Sequence, residues 1–195
     1  IGYKLTDVCI AAAGRVLKTI TVHSEITFPF PREITEEDIF TLKSQAVQEA
    51  YVAFTETDTT NTFYSVGNSI IRYYMNGYPM SNLEGHKASN IAVDLIATFL
   101  PEDVIDGLYK AVDIAGLRVA NLTLEPIAAI QVAIPENFRM LNLALIDVGA
   151  GTSDICITED GSITAYGMIP SAGDGLTEIV AKHCLVDFAA GEKIK

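Results

Sequence analysis

The chain has 195 residues, 49% of them hydrophobic and 19% charged, with 25 acids against 13 bases and a formal net charge of −12. That composition suffices for a packed core and excludes a disordered chain, and so negative a surface repels nucleic-acid phosphates, which excludes nucleic acid as a partner. No apolar run approaches the roughly 18 residues of a membrane span, no basic region precedes an apolar core at the start, and the opening lacks a methionine, so the chain reads as an excerpt of a longer one.

In chain order, "VCIAAA" at 8–13 predicts a buried strand ending at Gly14, and "VLKTITVHSEITF" predicts one or two more strands. "FPFPRE" breaks that pattern. Thr35 and Asp38 then stand at capping-box spacing, and a helix is expected to about Ala50, with Ile39, Leu42, Ala46, Val47 and Ala50 on one face. Two short strands follow, "TFYSV" and "IIRYYM", the second ending in the turn pair Asn76-Gly77. "SNIAVDLIATFL" predicts a further strand. Pro101, Glu102 and Asp103 open a second helix whose buried stripe is Val104, Ile105, Leu108, Ala111 and Val112, closed by Gly116.

Beyond Gly116, "LRVANLTL" reads as a strand and "EPIAAIQVAI" as a short helix. A three-strand meander comes next: "NLALIDV", "SDICITE" and "SITAYGMI", with Asp160-Gly161 turning between the last two. "SAGDGLTEIVAKHCL" leads through glycines into a helix, and "AAGEKIK" begins another. Cys9, Cys156 and Cys184 fit neither a zinc spacing nor a disulfide framework and read as buried free thiols in a reducing cytoplasm. His23, His86 and His183 are isolated and receive no role.

The chemistry concentrates in "LALIDVGAGTSDICIT" at 143–158. Its glycine turn is neither a P-loop, since no lysine follows, nor a dinucleotide fingerprint, since the third position is Asp154 and a strand follows instead of a helix. Spacing alone leaves two readings open. One is an ordinary hairpin with glycines for turn geometry. The other is a phosphate-binding tip whose N–H groups face a cleft, with Asp147 holding magnesium through its water shell.

Asp147-Val-Gly149-Ala-Gly151-Thr152 resembles the second phosphate motif of the actin-like ATPases, D-x-G-x-G-T. "LEPIAAIQVAI" resembles the E-P-x-A-A helix of MreB and the DnaK-type chaperones, the "AGDG" turn also fits, and "GEKIK" looks like the A-E-x-I-K segment over the adenosine in bacterial actins. Within that superfamily the chain is most similar to the FtsA cell division family. "VCIAAAGRVLKT" resembles V-x-L-A-L-S-G-x-x-I, "EGHKASNIAVDLIATFLPEDVIDGLYKAVDIAGL" follows the FtsA order of strand, helix and "GL", and "IPSAGDGLTEIVAKHC" resembles I-P-x-A-G with its helix. Ala150 replaces the middle glycine of the usual D-x-G-G-G-T, and Asp174 replaces a common asparagine, so the resemblance also admits a divergent FtsA paralogue.

The resemblance implies an α/β fold: part of an actin-like, ribonuclease H-like ATPase core with an inserted α+β subdomain of the FtsA type. It divides the chain into 1–32, part of the first actin-like subdomain; 33–115, the inserted subdomain; 116–140, the return to the first; and 141–195, the start of the second domain with its phosphate hairpin. It implies ATP and magnesium as cofactors. Asp147 would sit by the metal, and Gly149, Gly151 and Thr152 would donate to the β- and γ-phosphates. Glu125 aligns with the carboxylate that positions the attacking water, although a first-turn helix acid is also simply favoured by the dipole. Glu192 would accept from the ribose hydroxyls, Lys195 would lie along the adenine or be an ordinary exposed lysine, and Gly173 and Gly175 would shape the loop facing the nucleotide. Asp154 is balanced between turn stabilisation and a supporting role.

A nucleotide-gated scaffold is thereby implied, cytoplasmic and peripheral at the inner face of the cell membrane. It would self-associate through the inserted subdomain, meet the tubulin-like FtsZ through a subdomain outside this excerpt, and reach the membrane through an absent terminal segment. Hydrolysis would be slow at most in the full-length protein and missing from the excerpt, which carries one of two phosphate hairpins. The alternatives are a PilM-like pilus scaffold, which shares the extra subdomain, and a phosphotransferase or a chaperone of the same superfamily.

Overall fold

The computed structural model describes residues 5–12, 17–57 and 62–195; Gly14, where the first strand was expected to end, lies outside them. Strand β1 (Asp7–Ala12) pairs in parallel with β6 (Arg118–Leu124), from Asp7 opposite Arg118 to Ala12 opposite Leu124. Everything between them is an excursion that leaves one strand and returns beside it. That excursion is built on a four-stranded antiparallel sheet in the order β2 (Lys18–Glu33), β5 (Lys87–Pro101), β3 (Phe63–Met75), β4 (Tyr78–Met80).

The sheet corrects two expectations. "FPFPRE" does not end the strand: β2 runs through it, and the ladder with β5 opens between Thr27 and Arg32, where Pro29 and Pro31 have no N–H to give. β2 is an edge strand, and at the gap the N–H groups of Ser89 and Asn90 on β5 are taken up by Asn76 Oδ1 from the other side. "TFYSV" and "IIRYYM" are likewise one strand, β3, which absorbs the interruption as register shifts between Ser65 and Gly67 and between Ile70 and Arg72.

Helix α1 (Glu36–Thr57) covers one face. Thr35 is its cap: the Asp38 N–H reaches Thr35 Oγ1 at 3.4 Å, and the Thr35 N–H donates to the Asp38 carboxylate at 3.0 Å. Leu42, Ala46, Ala50 and Phe54 are buried against Ile91, Val93, Leu95, Ala97 and Phe99 of β5, and Phe54 stacks on Phe99 with centroids 4.2 Å apart. Helix α2 (Glu102–Ile114) follows Pro101 as expected, but its stripe is only half-buried and Ala111 is exposed.

The last third is the meander β7 (Leu143–Val148), β8 (Ser153–Glu159), β9 (Ser162–Ile169), in that order. Helix α3 (Glu125–Ala133) lies on it through a second small core, in which Ile130, Cys156 and Ile163 are buried with Ile127, Ile134, Leu145 and Tyr166 around them. Arg72 of β3 donates to Glu159 at 2.7 Å and ties the meander to the four-stranded sheet. Helices α4 (Gly173–Cys184) and α5 (Phe188–Ile194) close the chain, and no helix among the described residues is long and apolar enough to cross a membrane. Cys156 is buried, its thiol pushed up to about 11 by desolvation, whereas Cys9 and Cys184 are exposed, contrary to the expectation of three buried thiols.

Candidate functional site

Asp147 is the last residue but one of β7, and Asp154, the second residue of β8, stands directly opposite it in the ladder. Leu145 and Asp147 share a face of β7, as Asp154 and Cys156 do on β8, and that face looks towards α3. Packing of Ile127 and Ile130 on the meander therefore brings Glu125, the first residue of α3, to the same place. A narrow crevice is lined by Glu125, Pro126, Ala129, Leu145, Asp147, Asp154 and Cys156.

Neither Glu125, Asp147 nor Asp154 makes a hydrogen bond or ion pair among the described residues. Like charges directly across a ladder repel, so the pair Asp147–Asp154 is not there for strand pairing. Among the described residues no three His, Cys, Asp or Glu side chains converge as a metal cage. The donor set instead fits a magnesium ion that keeps its waters, takes phosphate oxygens as ligands and meets the protein through one or two carboxylates.

At the turn itself, the Gly149 N–H donates to Thr152 O at 2.9 Å. The N–H groups of Ala150, Gly151 and Thr152 donate to nothing among the described residues. Two carbonyls of the turn are held from behind: Gly173 N–H donates to Gly149 O at 3.0 Å and Asp174 N–H to Ala150 O at 2.8 Å. The first N–H groups of α4, which have no partner within their own helix, thus brace the turn. A Cβ on Gly173 would stand 3.1 Å from Gly149 O and 3.3 Å from Lys195 Nζ, tight contacts that this close approach avoids by having glycine here. At Gly175 the nearest atom to an added Cβ is Ser171 Oγ at 3.5 Å, an ordinary contact.

Glu192 and Lys195 lie on the other side of α4. Lys195 Nζ sits 2.9 Å from Glu192 and donates to Gly173 O at 3.2 Å, while Glu192 also accepts from the Thr177 hydroxyl. That hydroxyl holds the Glu192 carboxyl below the usual carboxylate range, with Lys195 adding to the effect. Thr177 was not singled out from sequence. The available signal is a hydroxyl residue on the inward face of α4, one turn after Gly173 and beside Ala181.

No family model matches the chain. FtsA of Neisseria meningitidis serogroup B is 22% identical over 194 residues, 98% of this chain and 44% of that protein. FtsA of Pseudomonas aeruginosa is 35% identical over 88 residues, 45% of this chain and 21% of that protein, and FtsA of Bacillus subtilis is 27% identical over 92 residues. The chain therefore spans less than half the length of these curated relatives. Among solved structures, the PilM–PilN type IV pilus biogenesis complex superposes with a TM-score of 0.63 at 16% identity, covering 97% of this chain and 50% of the matched one. The fold is α/β, part of an actin-like ATPase core. The chain thus shares the fold of part of an actin-like core and is similar in sequence, over nearly its whole length, to the cell division protein FtsA.

Proposed function

We propose that this chain carries one side of an ATP-binding cleft in a nucleotide-gated scaffold of the FtsA kind, acting in bacterial cell division. The observation that carries the reading is the turn at 149–152, where three consecutive N–H groups lack an acceptor among the described residues, beside the carboxylates of Asp147 and Glu125, which have no partner among them either. Successive N–H groups without an acceptor among the described residues suit an anion, and acids next to them suit a cation or a water that accompanies it. Magnesium bound with ATP would supply positive charge to the phosphate oxygens.

In this reading the turn donates to the phosphates through Gly151 and Thr152, with Gly149 setting its geometry, and Asp147 accepts from the water shell of the ion. Glu125 orients a water for slow hydrolysis, which needs positioning more than covalent chemistry. Glu192 accepts from the ribose hydroxyls, Lys195 flanks the adenine, Gly173 keeps α4 against the turn, and Gly175 lines the loop.

The proposed division is 1–32 and 116–140 for the first actin-like subdomain, 33–115 for the inserted one and 141–195 for the second domain. The four-stranded sheet, which takes in residues from Lys18 onward, is the body through which we propose self-association. Contact with an FtsZ-like tubulin homologue and with the inner face of the membrane is proposed for other parts of the full-length protein. The relatives named above, all cell division proteins, support this role over a pilus one. Calorimetric titration of ATP into the full-length protein tests the reading: binding that requires magnesium is expected, and absence of binding at millimolar ATP overturns it.

A further inference from the structure

Thr177 is fully buried, and its hydroxyl lies 3.0 Å from Gly173 O as well as against the Glu192 carboxylate. Lys195 Nζ bridges the same two acceptors. Two donors and two acceptors thus close a ring. A hydroxyl has one proton and an ammonium three, so Lys195 serves whichever acceptor the hydroxyl leaves. Both donors meet Glu192 on Oε2, which leaves Oε1 with no partner among the described residues on a side chain that is half exposed.

The approach of α5 to α4 that makes this ring possible depends on Gly191. A Cβ there would stand 3.0 Å from Ala181 Cβ and 3.1 Å from Thr177 O. The other end of the ring reaches the glycine turn, because the residue whose carbonyl closes it, Gly173, donates its N–H to Gly149 O.

We propose that Thr177 is a positioning residue for the nucleotide: it anchors one oxygen of Glu192 so that the other is presented, at a fixed place relative to the glycine turn, to a vicinal diol. The proposal rests on the ATP reading above. An unanchored glutamate at the end of an exposed helix would spread over several rotamers and recognise the diol weakly. With Thr177 in place, the diol acceptor and the phosphate donors are referred to one helix end.

The test measures dissociation constants of the full-length protein for ATP and for 2′,3′-dideoxy-ATP, in the wild type and in Thr177→Val and Thr177→Ser. Wild type is expected to prefer ATP by about tenfold, as for a charged hydrogen bond at a half-exposed site. Thr177→Val should lose most of that preference, because Lys195 alone, on a flexible stem, holds the same Glu192 oxygen less firmly, and Thr177→Ser should restore it. Thr177→Ala reads the same outcome if the valine variant does not fold. Retention of the preference in a folded valine or alanine variant overturns the proposal. So does a wild type that binds both nucleotides alike, although the ATP reading then stands. A wild type that binds neither overturns both.

Discussion

Asp147 and Asp154 face each other across the β7–β8 ladder, one residue outside the glycine turn, and neither carboxylate has a partner among the described residues. The arrangement weakens the hairpin, and a cation bound there would relieve it. Removing one charge should therefore change stability and affinity in opposite directions. Asp147→Ala in the full-length protein is expected to weaken Mg-ATP binding tenfold or more, about 1.4 kcal/mol. The same substitution should leave stability unchanged or raise it by up to about 1 kcal/mol, the range for cross-strand pairs. Nucleotide titration and thermal unfolding on the same sample check both; unchanged affinity in a folded variant removes Asp147 from the metal site.

Glu125 opens α3 at the crevice, with no bond that fixes it structurally. Glu125→Gln keeps the shape and loses the proton acceptor. ATP hydrolysis by the full-length protein should slow about tenfold or more while ATP affinity stays within about twofold, because the side chain acts on water and not on phosphate. Single-turnover hydrolysis beside equilibrium binding separates the two, and a variant as fast as wild type returns Glu125 to the role of a helix-end acid.

Gly173→Ala tests the brace behind the turn. Helix propensity alone favours alanine by about 1 kcal/mol. The added Cβ would instead press on Gly149 O at 3.1 Å, and overpacking against backbone is expected to destabilise by about 1–3 kcal/mol. Chemical denaturation of this chain reads the sign. A stabilised variant would mean that α4 shifts freely and does not brace the hairpin.

The cap of α1 predicts an acid dependence. Arg32 hydrogen-bonds to Asp38, holding its carboxyl at about 2 against an ordinary 3.8, with the Thr35 N–H and hydroxyl adding to the effect. The folded value is the lower one, so the contribution is fully present above the ordinary value and is lost as pH falls from about 4 through about 2. At neutral pH Asp38→Asn should lower the melting temperature. As pH falls from about 4 to about 2 the gap between the two proteins should shrink to a small remainder, and a gap that stays as large as at neutral pH assigns the effect to packing.

Much of the local structure was legible because it is decided within a few residues. Asn76-Gly77 and Asp160-Gly161 turn with φ of 49° and 82°, and 50° and 80°, as such pairs favour. Thr35 with Asp38 starts a helix where the side chains serve N–H groups, and after Pro101 the acids stand in the first turn, where Asp103 accepts from the Val104 N–H. The meander and the motif at 147–152 were legible too, since alternation and a short turn specify a hairpin. Tertiary structure decided what depends on partners far along the chain. β2 passes through "FPFPRE" because β5 pairs on both sides of the gap, at Thr27↔Asn90 and Arg32↔Ala88, more than fifty residues away in sequence. The stripe of α2 is half-buried because helix periodicity selects a face but not how fully it is covered. The sequence marked Glu125, Asp147, Glu192 and Lys195 as candidates one by one. Only the folded chain sets Glu125 beside Asp147 and bonds α4 to the glycine turn, because α3 is placed by packing on the meander and α4 by its hydrogen bonds to the turn, not by their own residues alone. Thr177 escaped notice for the same reason: a hydroxyl on a helix acquires its role from what a second helix brings to it.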